Sequence, residues 1–211
     1  MKKETYILKT LIYCSIFLLL TRMIYTGQPH LIFLFWNIFL AWIPYRISKR
    51  INDLPIGKYK RLTTLAMFGI WWLFLPNAPY MLTDLVHLRF SSYHLVWLDI
   101  LIIYSFSISG LLLGFFSVLH IHEFVKERYG KWAAEIITHL SVLSCGFGIY
   151  LGRVERPNSW DMIIHPIHNA KHILMSFFHP DYFFHSWGFS LVLSVFLFAL
   201  FRVFRLIASK D

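Results

Sequence analysis

LVWLDILIIYSFSISGLLLGFFSVL, residues 95–119, carries one charged side chain, Asp99, in its whole length. A run that long with so little charge can cross the hydrocarbon of a bilayer as a single helix. Outward from it lie five more apolar segments, roughly 7–25, 30–47, 62–80, 135–152 and 187–207, with a longer excursion over 153–186. Six helices of about 20 residues consume roughly 120 residues. In a chain of 211 residues, 57% of them hydrophobic, that leaves no room for a separate soluble domain. The sequence therefore predicts one all-α, polytopic membrane domain over 1–211, with six transmembrane helices.

The basic residues orient it. Fifteen of the twenty Lys and Arg fall on one side of these segments: Lys2, Lys3, Lys9, the Arg46–Arg61 loop, the Lys126–Lys131 loop and the Arg202–Lys210 tail. Arg22, Arg89, Arg153, Arg156 and Lys171 fall on the other. Positive-inside bias then places both termini in the cytoplasm. A net charge of +9 would suggest nucleic acid in a soluble chain. Here the charge flanks apolar spans, where anionic headgroups attract it, so the expected partner is the lipid bilayer and not nucleic acid. The basic start followed by an apolar run raises a signal peptide. Tyr25-Thr26-Gly27 supplies no small-x-small cleavage site, and an uncleaved first helix is expected. Cys14 and Cys145 both fall inside spans, with no metal spacing; Cys145 reads as a packing residue.

Small residues predict how helices pack. Ser107, Gly110, Gly114 and Ser117 form one ridge on the fourth span, with Gly110 and Gly114 in a GxxxG. Ser141, Cys145, Gly148 and Gly152 form another on the fifth. Close packing of the two ridges is expected, with a helix partner or homo-oligomer through Gly110 and Gly114 as the alternative. Phe196, Phe198, Phe201 and Phe204 of the last span are expected to face lipid.

Two places break the apolar pattern. In the third span the apolar run Leu62–Leu75 climbs only about 20 Å before Pro76 and Pro79 interrupt the hydrogen-bond ladder. Backbone groups freed at that depth survive only against protein or water. Thr83 is expected to cap a short helix beyond the break, on which Asp84 and His87 share a face. The second break is the excursion after the fifth span. Asn158 and Asp161 are spaced as a helix cap and its partner, and Ile167, Ala170, Leu174, Phe177 and Phe178 recur at helical spacing in an amphipathic, interfacial segment.

Chemistry-bearing residues gather on this outer side. Asp84, His87 and Asp161 are the candidate acid/base groups. Asn77, Arg153, Arg156, Asn158 and Trp160 are the candidate substrate-binding groups, the two arginines as a bidentate anion clamp. The competing reading is a network of ion pairs that only ties outer loops together. His165, His168 and His172 have the spacing of divalent-metal ligands on one helix face. An interfacial helix often carries such histidines on its polar face, and no cofactor is expected. There is no nucleophile elbow and no outward cysteine. Midspan polar groups are few (Asn37, Ser105, Ser107, Ser109 and His139), which argues against a pump.

Phe74-Leu75-Pro76-Asn77-Ala78-Pro79-Tyr80-Met81-Leu82-Thr83-Asp84-Leu85-Val86-His87-Leu88, followed by Gly152-Arg153 and Asn158-Ser159-Trp160-Asp161, resembles domain-of-unknown-function family 1361. That resemblance runs from the second span through the sixth. It implies a bacterial multi-pass membrane protein and carries no substrate, cofactor or catalytic residue. Three functions remain open: a binding protein or enzyme acting on a lipid-linked or envelope substrate, a small transporter or channel using the Pro76–Pro79 break, and a non-catalytic assembly protein.

Overall fold

The computed structural model describes residues 2–53, 60–155 and 180–208, all of them in helices or the short connections between helices. It divides into two compact units, Met1–Thr138 and His139–Asp211. The first unit holds α1 (Lys2–Thr26), α2 (Phe33–Asn52), α3 (Lys60–Phe74), the single turn α4 (Asn77–Tyr80) and a 3-10 helix (Met81–Phe90). A short 3-10 turn (Tyr93–Leu95), α5 (Val96–Tyr129) and the start of α6 (Lys131–Tyr150) complete it. The rest of α6, a π-helical turn (Leu151–Glu155) and α7 (Pro180–Ala208) belong to the second unit. Among the described residues there is no strand.

Four helical stretches are long and apolar enough to cross a membrane: Lys3–Thr26, Leu62–Phe90, Tyr93–Arg153 and Trp187–Ala208. The third runs through both α5 and α6. α2 falls outside this set because Arg46, Lys49 and Arg50 crowd its C-terminal turns. α5 also outruns its expected span: it continues past Leu119 through a charged end and stops at Gly130, whose φ of 85° suits a residue without Cβ. The expected Lys126–Lys131 loop is therefore mostly helix.

α5 is the axis of the first unit, with α1, α2, α4 and the first 3-10 helix packed on it. Its glycines admit a stretch of backbone from the same unit. A Cβ on Gly110 would lie 2.6 Å from the Ala78 carbonyl oxygen and would also collide with Met81 Cε. One on Gly114 would lie 2.8 Å from Ala78 Cβ. The ridge is thus a seat for the Ala78–Met81 backbone, and Ser107 Oγ donates to the Met81 carbonyl at 2.7 Å. Trp71 Nε1 donates to Ser117 Oγ at 2.6 Å, and Ser117 donates on to the Pro44 carbonyl at 3.0 Å, so one hydroxyl joins α3, α5 and α2.

α1 runs antiparallel to α5 and meets it through a polar stripe. Glu4, Ser15 and Arg22 are spaced by 11 and 7 residues, close to whole helical turns, and so lie on one face. They reach His120, Ser109 and Asp99 respectively.

Within the second unit, Ser190, Ser194, Leu197 and Phe201 form the buried face of α7. A Cβ on Gly146 of α6 would strike the Ser190 carbonyl oxygen and Ser194 Oγ, and Ser194 donates to the Leu143 carbonyl at 2.6 Å. Phe201, expected to face lipid, is fully buried because it continues this serine-led face, whereas Phe196 is half exposed. Cys145 is buried and donates to the Ser141 carbonyl, the packing role expected of it.

Substitution at Gly110 tests the seat. Gly110→Ala should cost about 1–3 kcal/mol through overpacking against backbone. Gly69→Ala, where a Cβ meets nothing within 4 Å, should be neutral or gain up to about 1 kcal/mol of helix propensity. Reversible unfolding in mixed micelles reads both.

Candidate functional site

The site lies on the stretch that follows α3. α3 ends at Phe74, and Asn77 Nδ2 donates to the freed Phe74 carbonyl at 3.0 Å. The chain then winds as 3-10 helix from Met81, where residues three apart stack over one another. Thr83 does not cap this helix: its hydroxyl turns back to the Tyr80 carbonyl at 2.7 Å, a bond the tighter winding brings within reach. Asp84 and His87 do share a face, as their spacing predicts.

Asp84 is 1% exposed. Asn37 Nδ2 of α2 donates to its Oδ2 at 2.8 Å. His87 Nδ1 lies 3.0 Å from the Asp84 main-chain carbonyl and 3.8 Å from Oδ1. A carbonyl only accepts, so Nδ1 carries the proton and Nε2 keeps its basic lone pair. The His87 side chain is 30% exposed and rests on Phe33, ring centroids 4.5 Å apart. A buried carboxylate beside a half-exposed imidazole of fixed tautomer can accept a proton at Nε2 and stabilise the cation that results.

A second buried pair lies in the same unit. Arg22 Nε donates to Asp99 Oδ1 at 2.7 Å and Nη2 to Oδ2 at 3.3 Å, the bidentate geometry in which guanidinium and carboxylate bind best. Both side chains are withdrawn from solvent, at 4% and 0% exposure. Arg22 Nη1 and His30 Nε2 are buried without a hydrogen-bond partner among the described residues. His30 sits in the loop between α1 and α2, next to Leu31, which holds a left-handed φ of 66°. Burial, then the Arg22 charge, push the His30 imidazole below its usual range, with His87 adding to the effect and Asp99 opposing it.

The structure thus brings Asp84 and His87 together and adds Asn37, which the sequence marked only as a midspan polar group. It joins Asp99 to Arg22, partners that helical periodicity could not match across 77 residues. Asn77 is spent on a helix end. Arg153 lies half-buried on the π-helical turn after α6. Arg156, Asn158, Trp160 and Asp161, the excursion's amphipathic stretch, and His165, His168 and His172 lie outside the described residues. Among the described residues no three of His, Cys, Asp and Glu gather closely enough to hold a metal.

A family model described as "Protein of unknown function (DUF1361)" matches residues 36–200. The chain belongs to the DUF1361 family. In this DUF1361 protein the match takes in Asn37, Asp84, His87 and Asp99, while Arg22 and His30 precede it. No curated protein and no solved structure matches the chain.

The buried ion pair makes a sharp stability prediction for this DUF1361 protein. Arg22→Leu leaves the Asp99 carboxylate buried alone and should cost about 3–5 kcal/mol; Arg22→Leu with Asp99→Leu should recover most of that loss. Equal losses in the single and double variants, read by unfolding in mixed micelles, would count against a mutual pair.

Proposed function

We propose that this chain is a six-span protein of the bacterial plasma membrane, with both termini cytoplasmic and a Pro-broken third span. On this reading an amphipathic segment lies along the outer interface before the last span. The Asp84–His87 cluster faces the outer leaflet and binds or processes a lipid-linked or envelope substrate. One observation carries the functional part: a carboxylate buried to 1% lies beside an imidazole that solvent still reaches. Burying an ionisable group among apolar helices is expensive and most often marks a functional centre or a satisfied pair. Asn37 supplies one hydrogen bond to Asp84, and His87 Nε2 is directed to chemistry, not to holding the fold. In this role His87 is the base, Asp84 stabilises its charge and Asn37 orients Asp84. The sequence adds Asp161 as a further acid/base group, Arg153 and Arg156 as anion anchors, and Asn77, Asn158 and Trp160 as substrate contacts.

Two competing readings draw less support. A transport path would need the midspan polar groups to line a wet route. Instead Asn37 is committed to Asp84, Ser105 to the Ile102 carbonyl, Ser107 to Met81 and Ser109 to Ser105. An assembly surface at Gly110 and Gly114 would need an open ridge, and Ala78 and Met81 lie on it.

Native mass spectrometry of the protein extracted from its membrane tests the reading. Wild type should retain a lipid with a phosphate-bearing headgroup. His87→Ala and Arg156→Ala should each retain a tenth of it or less, at unchanged membrane abundance (a tenfold loss is about 1.4 kcal/mol). Lipid profiles identical in all three, or abundance falling in step with retention, would overturn it.

A further inference from the structure

α2 carries an outward stripe that the function proposed above does not use. Leu34, Ile38, Ala41 and Tyr45 bury one side of this helix. On the other side Trp36, Phe39 and Trp42 follow one another at three-residue spacing, each nearly half exposed. Their rings brace each other. The Trp36 and Phe39 centroids are 5.5 Å apart, and Phe39 and Trp42 stack at 6.4 Å with 27° between their planes. Arg46, one turn farther on, lays its guanidinium over the Trp42 ring, 5.3 Å from the centroid. Arg50 follows after another turn, and both arginines are exposed.

Two features separate this stripe from an ordinary apolar face. The first is its length: Trp36 to Arg46 is about 15 Å of helix, the depth of one leaflet in a hydrocarbon layer roughly 30 Å thick. The second is that it ends on two outward cations. Arg46 stacks through the face of its guanidinium, which leaves the N–H edge free for phosphate oxygens. Among the described residues neither arginine makes an ion pair. Lys49, on the same turns, points the other way, over Tyr45 and toward Glu4. Glu4 is engaged by Lys49 and His120, and Asp53 stands at the C-cap, past both arginines.

We propose that this stripe seats one anionic phospholipid. Its phosphate lies on the N–H edges of Arg46 and Arg50, and an acyl chain runs along Trp42, Phe39 and Trp36. The headgroup supplies the negative charge that the two guanidiniums lack, and the chain covers rings that no part of the unit covers. A free phosphate would answer only the first of these needs. Because the rings are already braced, ordering the chain against them costs no further side-chain freedom. The inference takes from the reading above only that α2 lies in the bilayer. The Asp84–His87 cluster plays no part, since Asn37, its member on α2, is turned toward Asp84.

Fluorescence quenching by brominated lipid tests the seat in the full chain. The protein is reconstituted into dioleoylphosphatidylcholine with rising fractions of brominated phosphatidylglycerol or of brominated phosphatidylcholine. The Trp42 signal is the difference between wild type and Trp42→Phe, and the Trp97 signal is obtained likewise from Trp97→Phe. Brominated phosphatidylglycerol should quench Trp42 at a mole fraction lower by roughly fivefold for each arginine engaged. Trp97, exposed beside Asp99 at the other end of α1, should show no such preference. Replacing both arginines, Arg46→Gln with Arg50→Gln, should make the two lipids quench Trp42 alike. Equal quenching of Trp42 by both lipids in wild type, or the same preference at Trp97, would overturn the seat and leave α2 in the bilayer. No quenching of Trp42 by either lipid would overturn the seat together with that placement of α2.

Discussion

Two glycines on α5 let another stretch of backbone lie directly against that helix, and the remainder of the first unit is arranged around this approach. In lipid, apolar side chains gain nothing by leaving their solvent for each other, so close packing and hydrogen bonds must hold helices together. Gly110 and Gly114 admit Ala78 and Met81, and Ser107 donates to the Met81 carbonyl. Three residues farther on, Asp84 is consequently delivered to Asn37 on α2. The buried carboxylate and its imidazole follow from where the backbone is seated.

α1 is placed by a different means. Many of its large side chains, Tyr6, Tyr13, Phe17, Ile24 and Tyr25 among them, are exposed. Its position on α5 is specified by Glu4, Ser15 and Arg22 along one face. A sliding or rotating helix would have to break a bidentate ion pair, a serine contact and a carboxylate–imidazole contact together. Exact register is therefore an electrostatic property here, while most of the apolar surface of α1 is free to meet lipid.

Much of this was legible in the residues. The all-α class, the apolar segments, the shared face of Asp84 and His87 and the packing role of Cys145 follow from spacing and charge alone. What spacing cannot supply is the identity of a neighbour. Gly110 and Gly114 announce a close approach, but whether the approaching element is another small-residue ridge or a proline-bent segment depends on tertiary topology. Asn37 and Asp99 each stand out as polar residues in apolar runs, yet their partners lie 47 and 77 positions away. His120 and Glu4, 116 apart, gave less warning: one sits near a helix end and the other near the N-terminus, where charged residues are ordinary. Thr83 misleads for a local reason, since a threonine before an apolar turn has the composition of a cap, and only the tighter winding turns its hydroxyl backward.

The polar ties between α1 and α5 also have a spacing along the axis. Asp99 and His120 are 21 residues apart on one continuous helix, about 32 Å at the usual rise; the hydrocarbon of a typical bilayer is roughly 30 Å thick. Glu4 and Arg22, 18 residues apart on α1, span about 27 Å. The two charged ties thus form a rigid caliper whose jaws are set near the thickness of the oily layer. A separation of that fixed length is the quantity that a thinner or thicker bilayer would have to match.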